Sequence, residues 1–229
     1  MIQKRLALTK EGKLTYCTAS DKNIGKGRCN HVIHQKSNET KEEFFKRANK
    51  EIKRIEILNK TKEEKLKDIE NNQNLDIYIK DSKYKIRLAV AERGYGLDKL
   101  VNDKNQHVRA IVAQQGYGLD KLINDKECHV REEVARRGYG LDILINDEDL
   151  NVRVAVAECN YKLYKLINDK SFFVRMAVAR QGYGFDKLIN DEDSTVREIV
   201  KLKLDYYNLT LEEWIAKNPN KCALKNNYN

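Results

Sequence analysis

The chain has 229 residues, of which 34% are charged and one is proline, and it carries a net charge of +9. That composition fits a helical, well-solvated protein of one or two domains. No apolar run approaches the roughly 18 residues that a membrane-spanning helix needs, and Met1 to Leu8 lacks the long apolar segment of a secretory signal. A soluble, cytoplasmic protein without membrane contact is therefore expected.

Cys17, Cys29, Cys128, Cys159 and Cys222 are an odd set without disulfide-scaffold spacing, as suits a reducing compartment. The charge is uneven. Residues 1–71 hold 18 basic and 11 acidic side chains, residues 72–203 hold 23 and 21, and residues 204–229 hold 3 and 3. A phosphate-binding role would have to begin in the first segment.

Residues 1–36 form a basic head. Lys4 to Thr9 and Lys13 to Thr18 alternate with β-branched and aromatic members around Lys10-Glu11-Gly12, which predicts a β-hairpin. Cys17, Cys29, His31 and His34 then fall within 18 residues. Two thiols and two imidazoles match the tetrahedral ligand set of structural zinc, which would stabilise a module too small to build its own core. The spacing is not that of a standard finger, and buried free thiols with surface histidines are the alternative.

Residues 37–71 read as N-terminal capping helices. Asn38 or Thr40 can cap a helix in which Phe44, Phe45, Ala48, Ile52, Ile55 and Leu58 recur at spacings of three and four. Thr61 with Glu64 is a capping box opening a second helix through Leu66 and Ile69, placed to dock on the first repeat.

From residue 72 to 203 the sequence repeats with a period of 22. Gly-Tyr-Gly-Leu-Asp-Lys-Leu-Val-Asn-Asp at Gly94 returns nearly unchanged at Gly116, Gly138 and Gly182, in worn form at Asn160 and in degenerate form at Asn72. Such units bury their apolar faces only by stacking on one another. Each holds a short first helix, with Leu97, Leu100 and Val101 apolar, and a second helix with Val108, Ile111 and Val112 inward and Ala113 in a small-residue column. The leading glycine sits where a helix C-terminus favours a left-handed residue, and Asn160 substitutes for it. Lys162 replaces the second glycine, so a positive φ is not expected there.

Val-Arg-x-x-Val-Ala, followed by a short Leu-rich helix and an Asn-Asp turn, resembles the HEAT-like group and, within it, the leucine-rich repeat variant, which alternates an α-helix with a short 3₁₀ helix. The period is shorter than either usually shows, and Gly-Tyr-Gly stands where proline is common. The resemblance implies an all-α fold: a right-handed α-solenoid of six 22-residue two-helix repeats, with the small β-hairpin or zinc module ahead of it and helical caps. The segment Leu-Thr-Tyr-Cys through Gly-Arg-Cys-Asn-His also resembles the heads of bacteriophage and mobile-element proteins.

Arg87, Arg109, Arg131, Arg153, Arg175 and Arg197 share one column, and Asp81, Asp103, Asp125, Asp147, Asp169 and Asp191 another. Each Asp is expected to cap the second helix and pair with an Arg, in preference to a phosphate ladder. Tyr95, Tyr117, Tyr139, Tyr161 and Tyr183 are expected to pack between layers. The residues before each Val-Arg vary and include Tyr84, His107, His129, Phe172 and Phe173, as do the columns holding Met176 and Arg180.

Units four and five carry opposite charge, which suits a protein partner. Residues 204–229 supply a closing helix, with Thr210 and Glu213 as a capping box and Trp214 as its core plug. The function expected is a non-enzymatic scaffold that binds a protein partner through Tyr84, His107, His129, Phe172, Phe173, Met176 and Arg180, with a phage or mobile-element origin implied by the head. The alternative is a nucleic-acid-binding protein using Lys4, Arg5, Lys10, Lys13, Lys22, Lys26 and Arg28. The sequence shows no Ser/His/Asp set and no phosphate-cradling glycine loop.

If the head holds zinc, elemental analysis of protein purified without chelator will show one zinc per chain. Cys29→Ala will then loosen the head and leave the helical circular-dichroism signal of the repeats nearly intact. Absence of stoichiometric metal would remove the assignment.

Overall fold

The computed structural model describes the backbone of residues 3–8, 14–19 and 31–223 and the side chains of residues 33–223. The chain is mostly helical and divides into two compact units, Met1–Val90 and Ala91–Asn229. Among the described residues no helix is long and apolar enough to cross a membrane.

In the first unit, β1 (Gln3–Leu8), β2 (Leu14–Ala19) and β3 (His31–His34) form an antiparallel sheet in that order. The first two strands lie within one residue of the expected hairpin. The third is an addition, because His-Val-Ile-His had suggested metal ligands rather than a strand. Its register sets Val32 opposite Cys17 and His31 opposite Thr18.

Helix α1 (Lys41–Leu58) starts at a complete Thr40/Glu43 capping box. Its spacing of four brings Phe44, Ala48 and Ile52 onto Ile33 of β3, where all four are buried. Arg47 fastens the same corner, donating to Glu39 and, from Nη2, to the His34 carbonyl at 2.7 Å. Helix α2 (Lys62–Glu70) opens on the Thr61/Glu64 capping box. It is followed by α3 (Leu75–Tyr78) and α4 (Tyr84–Glu92).

A further copy of the repeat lies in α2, which the sequence pattern had suggested only as a cap. Both α2 and α4 are nine residues long and start 22 residues apart. Lys65 stands in the Arg column, and its Nζ donates to Asp81 at 2.7 Å with both side chains buried. Asp68 stands in an apolar column. It is held there by donation from Lys60, Asn74 and the Tyr78 hydroxyl, so its burial leaves no acceptor unpaired.

In the second unit, single-turn α-helices α5 (Leu97–Leu100), α7 (Leu119–Leu122), α9 (Leu141–Leu144), α11 (Leu163–Leu166) and α13 (Phe185–Leu188) alternate with longer ones. The longer ones are α6 (Gln106–Gln114), α8 (Cys128–Arg136), α10 (Leu150–Glu158), α12 (Phe172–Arg180) and α14 (Ser194–Tyr207). The short element is thus an α-turn, not the 3₁₀ turn that the resemblance implied. The long helices pack in series, and the short helices from α7 to α13 each touch the long helix before and the one after.

Val108, Val112 and their equivalents through Val196 and Val200 are fully buried, as are Ala113, Ala135, Ala157 and Ala179, whose small size lets neighbouring helices approach. The alanine column ends at Lys201, exposed beside Glu198 and Asp205, which gives the last long helix a polar outer side. Helix α15 (Leu211–Lys217) closes the short-helix layer, with Trp214 stacked on Phe185 at 4.4 Å.

The arginines bind the units together. Nε and Nη2 of Arg109, Arg131, Arg153 and Arg175 donate in a fork to Asp125, Asp147, Asp169 and Asp191 of the following unit, at 2.6 to 3.0 Å. Nη1 of each donates to the backbone carbonyl of the Asp in its own unit. Each of these Asp residues also accepts the backbone N–H two positions on, as in Asp149 N–H to Asp147 Oδ1 at 2.9 Å. The Asp column therefore holds the turn before the helix. The N-cap is the residue two further on, such as Asn105 or Asp149, which corrects the expected capping role.

A second correction concerns Lys162. Its φ is 42°, in the left-handed region that Gly96, Gly118, Gly140 and Gly184 occupy in the same place, and Asn74 takes it at 57°. The turn does require positive φ, and the lysine adopts it at a strain cost.

Two outcomes follow from the ladder. Arg131→Ala leaves the buried Asp147 carboxylate without its ionic partner and is expected to cost about 3 kcal/mol. Arg136→Ala on the same helix removes an exposed pair with Glu132 and is expected to cost under about 1 kcal/mol. Denaturant midpoints compare them.

Burial pushes the Asp147 carboxyl up. The Arg131 hydrogen bond, the Asp149 N–H and the charges of Arg131 and Arg153 reverse that and leave it below the ordinary 3.8. The same balance holds for Asp125, Asp169 and Asp191. Since the folded-state values are depressed, the stabilisation is complete above the unfolded-state value and lost as pH falls through the folded one. The midpoint is expected to hold from about pH 7 to about pH 5 and to drop below about pH 4, less steeply in Asp147→Asn.

Candidate functional site

The ladder fixes which surface remains for recognition. Arg109, Arg131, Arg153 and Arg175 are buried and spent on carboxylates and carbonyls, so these four offer no guanidinium to a polyanion. Part of what remains outside is the face of the long helices remote from their neighbours.

His107, His129, Asn151, Phe173 and Thr195 are all exposed, and so are Gln114, Arg136, Glu158, Arg180 and Leu202 seven residues on. Seven residues are close to two turns, so each pair stands on one side of its helix. The residue one position earlier turns roughly 100° away. Tyr84, Cys128 and Phe172 are accordingly half-buried. The column between them is covered at Ala110, half-covered at Glu132, Val154 and Met176, and open only at Glu198, so it contributes less surface than its variability suggested.

Along this face the chemistry changes from unit to unit. The rings of His107 and His129 meet edge to face at 6.0 Å, and His129 Nδ1 lies 3.5 Å from Glu132. Phe172 and Phe173 lie 4.0 Å apart with planes 31° from parallel. Phe173 is 45% exposed among polar equivalents, with Met176 and Arg180 at i+3 and i+7 on the same helix. Phe172 is half-buried and Phe173 exposed, so the two rings divide between the packing and the surface.

Three of the five recurring tyrosines depart from expectation, while Tyr161 and Tyr183 are half-buried. Tyr95, Tyr117 and Tyr139 are 42, 43 and 40% exposed, which is not interlayer packing. Each follows the positive-φ glycine that ends a long helix, and the reversal carries its ring out to the edge. Tyr161 lies under the ammonium of Lys162 at 4.9 Å.

The sequence pattern also passed over a groove at the end of the second unit, lined by Arg180, Ile199, Leu202, Lys203, Tyr206 and Tyr207 and about 710 Å³ in volume. The signal was the missing glycine. Leu204 stands where Gly182 ends the preceding helix, so α14 runs to 14 residues and carries both tyrosines past the usual stop.

Of the candidate zinc ligands, His34 is exposed on β3, while the side chains of Cys17, Cys29 and His31 lie outside the described residues. So do those of Lys4, Arg5, Lys10, Lys13, Lys22, Lys26 and Arg28. Among the described residues no group of three metal-binding side chains comes together. Burial pushes the Cys128 thiol up, and the Asp149 carboxylate pushes it further; burial and Glu158 do the same to Cys159. Both thiols stay protonated at neutral pH. No protein-family model, curated protein or solved structure matches the chain.

Proposed function

We propose that the chain is a non-enzymatic α-solenoid of HEAT-like or leucine-rich-variant character that binds a protein partner through the variable face of its long helices. One observation carries the reading: the valine and alanine columns of the long helices, and the arginine column as far as Arg175, are buried in the stack, whereas two variable columns seven residues apart, which hold Phe173 and Arg180, are exposed, with the half-buried Met176 between them. Aromatic, Met and Arg side chains grouped in this way are the usual composition of interface anchors. His107 and His129 extend the face over two earlier units.

A phage or mobile-element factor acting on a host protein is the setting this proposal favours, on the resemblance of the head. Structural zinc in the head is part of the same proposal. Nucleic-acid binding through the basic head is the rival, and the buried arginine column gives it no support from the repeats.

The protein is tested by capture of partners from the source cell, identification by mass spectrometry, and titration of the purified partner. Phe173→Ala is expected to weaken binding by about 2 kcal/mol while moving the melting temperature little. A variant that melts far lower, or binds unchanged, returns Phe173 to the core. Titration with duplex and single-stranded DNA at low and near-physiological salt decides the rival, because phosphate-led binding weakens steeply as salt rises.

A further inference from the structure

We infer that the groove between the C-terminal ends of α12 and α14 takes an acidic, amphipathic segment of a protein partner. This rests on the protein-binding reading of the variable face and names the chemistry that its far end selects. Arg180 and Leu202 are the same column in consecutive units, so the groove continues the face that bears Phe173.

The shape has a local cause. Helix α12 stops at Arg180 because Gly182 takes a φ of 72°, whereas α14 runs on until Asn208 takes the left-handed conformation at 52°. The additional turn stands past its neighbour and makes one wall. That wall is apolar: Leu202 is 56% exposed, Tyr206 81% and Tyr207 shares the surface, with Ile199 half-buried at the base. Exposed apolar surface gathered this closely marks an interaction site more often than scattered single residues do.

The charge selects the occupant. The lining contains two cations, Arg180 and Lys203, and no carboxylate. An apolar anchor with flanking Asp or Glu side chains would satisfy both the wall and the cations, while a basic segment would leave the cations opposed. The chain's own residues 224–229 carry one lysine and no acidic side chain, so they do not match. Bare phosphate would meet the cations and leave Leu202 and Ile199 in water.

The test uses the full chain and a fluorescein-labelled synthetic 16-residue peptide with Leu at spacings of three and four and Glu elsewhere, beside the same peptide with Lys for Glu. Fluorescence anisotropy is expected to show binding of the Glu peptide only. Leu202→Glu and Tyr206→Ala should weaken it by about tenfold or more, with unchanged melting curves because both residues are exposed. Arg180→Glu combined with Lys203→Glu should transfer the preference to the Lys peptide.

Equal binding of both peptides, no binding of the Glu peptide, or binding indifferent to Leu202→Glu overturns the inference. Indifference to Leu202→Glu with loss in Phe173→Ala leaves the protein-binding reading standing and removes the groove from it. Loss in neither removes both. A dimer in sedimentation that Leu202→Glu converts to a monomer would assign the groove to a second copy, and tight oligothymidylate binding abolished by Tyr206→Ala would assign it to single-stranded nucleic acid; either also overturns it.

Discussion

The fork from one arginine to the next unit's aspartate is the contact on which the rest of the second unit depends. A piece of 22 residues with one single-turn helix and one nine-residue helix cannot stand alone, because helices this short are marginal in water without tertiary packing. The valine and alanine columns supply that packing, but they are nearly uniform along the chain and say little about register. The arginine does. Its Nε and Nη2 reach the carboxylate of the following unit while Nη1 holds the carbonyl of its own, so one planar group fixes the offset between two turns in three directions. The carboxylate in turn holds the turn that starts its helix. A slip of one unit against the next would leave a buried guanidinium and a buried carboxylate apart, at a cost well above the net value of the pair in place.

The same link explains why two residues that do not belong to the repeat pattern nevertheless fit it. Lys65 fills the arginine position one unit before the pattern becomes visible, and reaches Asp81 with a single ammonium where the later copies use a fork. Asp68 occupies a position that is valine in every later copy, and is tolerated because Lys60, Asn74 and Tyr78 surround it. Sequence pattern alone hid this copy, because Lys65 fills its arginine position, Asp68 an apolar one, and the turn that ends its helix carries Asn72 in place of glycine. The capping boxes at Thr40, Thr61 and Thr210 were legible, since their partners lie three residues away along the chain. So was the Asp–Arg pairing, which the period itself announces.

What could not be read was anything that depends on where a chain reversal points. Tyr95, Tyr117 and Tyr139 have the composition of packing residues, and the positive φ before each goes with an exposed ring. At Lys162 the reverse holds: a residue type unsuited to left-handed backbone suggests ordinary backbone, whereas the position makes the same turn that Asn74, Gly96, Gly118, Gly140 and Gly184 make. The variable face was legible in outline, because seven-residue spacing fixes which positions share a side. Its depth was not, since Ala110 is covered by the next helix and Glu198, with no helix following, is open.

The two boundaries of the arginine ladder end it by different chemistry, and this difference bears on where recognition can occur. Asp81 is closed by the buried Lys65, so the first carboxylate is spent. Arg197 donates Nη1 to the carbonyls of Asp191 and Glu192, and among the described residues no carboxylate takes its fork. It is only half-buried, so water meets the remaining N–H groups and the cost of an unpaired cation is avoided. With Lys201 in the alanine column and Glu198 and Asp205 beside it, the side of α14 that another unit would have covered is polar. The exposed apolar residues of this helix, Leu202 and Tyr206, stand beside Arg180. Helix α14 extends five residues beyond its nine-residue equivalents, and that extension, not the closing of the stack, brings Tyr206 and Tyr207 to the surface beside Arg180.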